Sequence, residues 1–111
     1  MSDCLFCKMV DKEIQPDIVK ETENWLCFRD LNPQAPVHVL LIPKKHYSDI
    51  EDVNNPEVFG ILFAGICEIV QQLGLEEGYR VLTNKGEYGG QSVFHLHFHI
   101  LGKRKLGWPP G

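Results

Sequence analysis

The sequence predicts an α+β domain: about five strands in an antiparallel sheet, one long helix and a short N-terminal helix. Three observations carry that expectation. Strand-like apolar runs are joined by short turns, one segment sustains a helical period, and the last apolar run alternates with histidines. At 111 residues the chain fits a single domain, 1–111, because two cores of half that size would each be marginal.

Residues 3–10 suit one or two turns of helix, with Asp3 as a cap. Asp17 to Glu21 and Trp25 to Asp30 read as strands about the polar turn Thr22-Glu23-Asn24. Asn32-Pro33 and Ala35-Pro36 break the chain, and Val37 to Ile42 is then a buried strand stopped by Pro43. The long helix opens at Asn55-Pro56, with Asn as N-cap and Pro in the first turn. Its apolar residues Val58, Leu62, Ile66, Ile69 and Leu73 recur at helical spacing, and Gly74 suits the C-terminal cap. Tyr79 to Asn84 is a further strand, Lys85 to Gly90 a glycine-rich turn, and Ser92 to Leu101 the last strand.

Composition narrows the function classes. With 43% hydrophobic and 23% charged residues the chain is that of an ordinary globular protein. Eleven basic against fifteen acidic residues leave a net charge of −4, which argues against non-specific nucleic-acid binding. Lys44-Lys45 and Lys103-Arg104-Lys105 accordingly read as solvated turns. A small anion remains admissible, since backbone amides can hold a phosphate on an acidic protein. No signal peptide is visible, and Val58 to Val70 is too short to span a bilayer, so no membrane role and a cytoplasmic location are expected. In that setting the four cysteines read as reduced thiols or metal ligands, with Cys27 and Cys67 as small core residues.

The informative segment is Phe94-His95-Leu96-His97-Phe98-His99-Ile100. Strand side chains alternate between faces, so the apolar residues share one face and the histidines the other, alternate positions lying roughly 7 Å apart. One such histidine would be unremarkable, but a row of them points to shared chemistry. Two uses fit: chelation of a metal by the row itself, or nucleophilic and acid–base catalysis. The preceding Gly89-Gly90-Gln91-Ser92 lets backbone N–H groups approach an oxyanion, which suits a phosphate better than a bare ion. Separately, Cys4-Leu5-Phe6-Cys7 is a C-x-x-C pair. With His46 and His95 it would complete a closed, structural Cys₂His₂ site.

Phe94 to Leu101 resembles the His-φ-His-φ-His-φ-φ signature of the histidine triad superfamily, φ being apolar. Phe28 to Leu31, Pro36 to His46, Asn84 to Ser92 and the ending Trp108-Pro109-Pro110-Gly111 are similar to its Hint branch. The resemblance implies a homodimeric histidine-triad fold that cleaves purine nucleoside 5′-phosphoramidates, taking an AMP- or GMP-type ligand without a cofactor for the chemistry. It implies His97 as nucleophile on the α-phosphorus, with His99 and Gly90-Gln91-Ser92 on the phosphate and Ser92 near the leaving group. Asn84 would serve the phosphate–ribose region, Asp30 the ribose hydroxyls, and Phe6, Phe28 and Leu31 the purine. His38 would orient the catalytic strand, and Trp108 would reach the partner subunit's site. Zinc on Cys4, Cys7, His46 and His95 is similar to that of a subset of the superfamily. Alternatives are a dinucleoside polyphosphate hydrolase, favoured less by the Trp108 ending, and a nucleotide-binding regulatory module with slow chemistry.

Overall fold

The computed structural model describes residues 3–111. Helix α1 (Leu5–Val10) leads into the strands β1 (Ile18–Glu21), β2 (Trp25–Arg29) and β3 (Val37–Pro43). A 3-10 turn at Ile50–Asp52 precedes helix α2 (Pro56–Gln72); β4 (Tyr79–Leu82), the one-turn helix α3 (Gly86–Gly89) and β5 (Phe98–Gly102) follow. The strands form one antiparallel sheet in the order β1-β2-β3-β5-β4. The α+β expectation holds, with five strands and one long helix.

Register decides which side chains meet. Phe28 pairs with Leu40, Leu40 with His99 and His38 with Leu101, so these side chains share one sheet face. On it Leu26, Phe28, Leu40 and Ile42 bury against Phe6 and Met9 of α1. Trp25, Cys27, Val39, Leu41, Phe98 and Ile100 take the other face, against Leu62, Ile66 and Ile69 of α2. α2 begins as its sequence suggests: the Asn55 side chain accepts the Glu57 N–H at 3.0 Å, and Pro56 opens the first turn. It ends at Leu73, after which Gly74 takes the left-handed φ of +68°.

Several local expectations are corrected. Cys4, not Asp3, caps α1, its sulfur accepting the Cys7 N–H at 3.3 Å. Cys67 is exposed on α2, because it falls opposite the stripe that faces the sheet; Cys27 is buried as expected. The turn from Lys85 to Gly90 contains α3, and β4 stops at Leu82. The largest change concerns the last strand, which begins at Phe98 rather than Ser92. Ahead of it Phe94 is 60% exposed, while Leu96 still joins the α2-side core. Among the described residues no helix is long and apolar enough to cross a membrane.

Candidate active site and metal centre

The late start of β5 has a chemical consequence. Between Val93 and His97 the chain makes few ladder bonds, and imidazoles take carbonyls instead. His95 Nε2 lies 2.9 Å from the Pro43 carbonyl oxygen, and His97 Nδ1 lies 2.7 Å from the His95 carbonyl oxygen. A carbonyl only accepts, so each of those nitrogens carries a proton. The other ring nitrogen of each histidine is therefore a bare lone pair in the neutral state: Nδ1 on His95, Nε2 on His97. Both rings are buried, and that burial pushes His97 below the ordinary imidazole range and His95 down to about 4.

A second chain of donors sets His99. The Gln34 N–H donates to His38 Nδ1 at 3.0 Å, so the proton of His38 sits on Nε2. That nitrogen is 2.9 Å from His99 Nδ1 and 3.4 Å from Asp30 Oδ2. Donation from His38 leaves His99 with its proton on Nε2, a hydrogen-bond donor. Burial holds His99 near 4, helped by the neighbouring His97 and His38, while burial lowers His38 with the Asp30 carboxylate partly offsetting it.

His97, His99 and Ser92 border a cavity of about 560 Å³. Phe6, Phe28, Leu31 and Asp30 line it as well, Leu31 being 95% exposed at its mouth. The Phe6 ring meets Phe28 and His97 edge-on, with centroids 5.5 and 5.1 Å apart. Asp30 Oδ1 is occupied by the Asn32 N–H at 2.8 Å. Sequence reasoning missed more than half of the lining, Leu5, Met9, Ile14, Asp17 and Val93 among it. Met9 follows Phe6 by one helical turn and carried that signal; Asp17, at the rim near Arg29, carried none.

Other expected site residues stand apart from the cavity walls. Gln91 is buried and turned inward: its Nε2 donates to the carbonyls of Ser48 (2.7 Å) and Val93 (3.2 Å), and its Oε1 accepts the Gly86 N–H (2.9 Å). Its side chain thus braces the turn. Gly90 adopts φ +78° after α3, and Asn84 packs beneath Gly89. Trp108 is 82% exposed in the tail, which Arg80 anchors through the Gly107 carbonyl at 2.8 Å.

The sulfurs of Cys4 and Cys7 and ring nitrogens of His46 and His95 converge. His95 Nδ1 lies 3.3 Å from Cys4 Sγ, 3.6 Å from Cys7 Sγ and 3.2 Å from His46 Nδ1, and Cys7 Sγ lies 3.3 Å from His46 Nδ1. Ligand–ligand edges of a zinc tetrahedron with bonds of ~2.0–2.3 Å are about 3.3–3.8 Å. The donor set and its spacing therefore fit a tetrahedral S₂N₂ ion, and the bare Nδ1 of His95 is in the protonation state a ligand needs. The alternative in which His95, His97 and His99 chelate one ion is not what forms: His95 turns to the sulfurs, and no cluster among the described residues joins the three. Asp30, His38 and His99 approach one another, but as the hydrogen-bonded relay described above.

An antiparallel sheet with imidazoles of fixed tautomer beside a half-apolar cavity defines a histidine-centred α+β protein. The chain belongs to the HIT domain family, which matches residues 11–106. It is 44% identical over 115 residues to the 14 kDa zinc-binding protein of Zea mays, covering 99% of this chain and 89% of that one. The crystal structure of a HIT family hydrolase from Legionella pneumophila superposes with a TM-score of 0.95 at 46% identity, covering 98% of this chain and all of that one. A histidine triad nucleotide-binding protein from Candida albicans superposes with a TM-score of 0.87 at 32% identity, over 96% and 83% of the two chains.

Proposed function

We propose that the protein cleaves the P–N bond of purine nucleoside 5′-phosphoramidates through a nucleotidyl-His97 intermediate. The observation that carries this reading is the 2.7 Å bond from His97 Nδ1 to the His95 carbonyl, which leaves Nε2 unprotonated on a residue bordering the cavity. Family membership supports it, as do the hydrolase and nucleotide-binding names of the Legionella and Candida relatives.

In the proposed reaction His97 Nε2 bonds to the α-phosphorus as the P–N bond breaks. The departing nitrogen takes a proton from a wall donor, Ser92 Oγ–H being the nearest in sequence to the glycine turn. His99 Nε2–H donates to a phosphoryl oxygen, where charge grows in the transition state. Water then attacks the phosphorus as the P–Nε2 bond to His97 breaks, which frees the nucleoside monophosphate and the His97 lone pair, and a proton of that water returns to Ser92 Oγ. The low imidazole affinities for protons keep His97 neutral and nucleophilic at pH 7. Phe6, Phe28 and Leu31 offer apolar contact to a purine, and Asp30, whose Oδ2 also stands 3.4 Å from His38 Nε2, offers its remaining carboxylate lone pairs to the ribose hydroxyls. Gly90 and Asn84 would support the phosphate from the turn, with Gln91 bracing it.

A zinc ion on Cys4, Cys7, His46 and His95 would supply structural rigidity and no chemistry. A homodimer is the proposed assembly. β4 is one of the two edge strands of the sheet, Ile61 and Phe63 of α2 are exposed, and Trp108 lies outside its own chain's cavity. Hydrolysis of adenosine 5′-phosphoramidate by the zinc-loaded parent and by zinc-loaded His97→Ala tests the function. Turnover by the parent and a loss on the order of 10⁴-fold in the variant is expected; an inactive parent overturns the phosphoramidase reading.

A further inference from the structure

One short helix belongs to both sites. α1 has six residues, too few to persist without tertiary support. Its N-cap Cys4 and its residue Cys7 enter the sulfur–imidazole cluster, and between them Phe6 faces the cavity. The Phe6 ring lies edge-on to both His95 and His97, with centroids 5.8 and 5.1 Å away. Leu5 and Met9 add to the same cavity wall. His95 in turn offers its ring to the cluster and its carbonyl to His97 Nδ1. An ion held by the four ligands would tie together α1, the segment after β3 that carries His46, and the irregular stretch before β5.

We infer that metal and nucleotide bind cooperatively, because the metal orders α1 and so holds Phe6 as the cavity wall against His97. The inference rests on the nucleotide reading above and adds a coupling to it. Two ligands that both favour the ordered helix must strengthen each other by the same factor. Phe6 is the positioning residue that carries the coupling.

The test compares zinc-loaded protein with protein stripped by chelator, using AMP as the probe. AMP should bind the loaded form about tenfold or more tightly, and AMP should raise the equilibrium zinc affinity, read by chelator competition, by the same factor. Amide hydrogen exchange of α1 should rise on stripping, while β2, β3 and β5 stay protected. In Phe6→Leu, with the affinity for zinc and for AMP each measured alone as the reference, the coupling factor should fall toward one. Equal AMP affinity in both forms, or equal α1 protection, overturns the coupling while leaving the nucleotide reading intact. Global unfolding on stripping also overturns it, since the metal would then hold the whole fold. No AMP binding by the loaded protein overturns the nucleotide reading, and the α1 exchange still decides whether the metal orders the wall.

Discussion

His97 Nδ1 stands 2.7 Å from the carbonyl oxygen of His95, so the first histidine of the row sets the tautomer of the second. The bond exists because the backbone before Phe98 leaves the sheet ladder, and its carbonyls at Val93, His95 and His97 are taken by the side chains of Gln91, His97 and Thr83. The same residue turns its bare Nδ1 to the Cys4 and Cys7 sulfurs. One histidine thus serves the proposed nucleophile through its backbone and the proposed metal through its ring.

The relay behind His99 should be visible in solution. His38→Ala removes the donor to His99 Nδ1, which lies 2.9 Å from His38 Nε2. His99 should then lose its single tautomer in ¹⁵N spectra, with a fall in kcat of about 10²-fold. A relay that merely fills space would leave the tautomer and the pH profile unmoved.

Acid should destabilise the protein within a defined window. His99 titrates near 6.5 when free and near 4 when folded, because its charged form is disfavoured by burial. Above pH 6.5 both states are neutral and this contribution is fully present. Between pH 6.5 and 4 the unfolded chain binds a proton that the folded chain refuses, so stability falls as pH falls. Tm measured across this range should drop, and less steeply in His99→Asn; parallel profiles would contradict the assignment.

Gly65 is required by the α2–sheet packing. A Cβ there would lie 2.6 Å from Nε1 of the buried Trp25, so Gly65→Ala must displace the indole or the helix. Urea unfolding should show a loss of about 1–3 kcal/mol. Gly60 has open space around its own Cβ position, so Gly60→Ala is the control, expected to be neutral or stabilising.

Gln91 should behave as a brace. Gln91→Leu strips partners from the Ser48 and Val93 carbonyls and from the Gly86 N–H, costing about 1–3 kcal/mol in unfolding. Exchange of the amides from Gly86 to Val93 should rise in the variant. An unchanged exchange pattern would show that the turn holds itself.

Much of this molecule is legible in its sequence, for reasons that can be located. Pro56 behind Asn55 and the stripe Leu62, Ile66, Ile69 place α2, since capping and periodicity act locally. The alternation of His95, His97 and His99 with Leu96, Phe98 and Ile100 assigns opposite sides, because the core claims those apolar residues, but it fails at Phe94, which precedes the strand and is exposed. The start of β5 is not legible: whether a carbonyl goes to a strand or to an imidazole depends on where Pro43 lies in space. The inward turn of Gln91 and the approach of Asp17 to the cavity rim are set by segments distant in the chain. The Cys4–Cys7–His46–His95 convergence lies between, its ligand types readable and its spacing settled by the fold.

The proposed chemistry is tested most directly by trapping the intermediate. Protein mixed with adenosine 5′-phosphoramidate and quenched within one turnover should carry a single adenylyl group, localised by peptide mass spectrometry to His97 and missing in His97→Ala. An adenylyl group on another residue, or undiminished turnover in His97→Ala, would contradict His97 as the nucleophile.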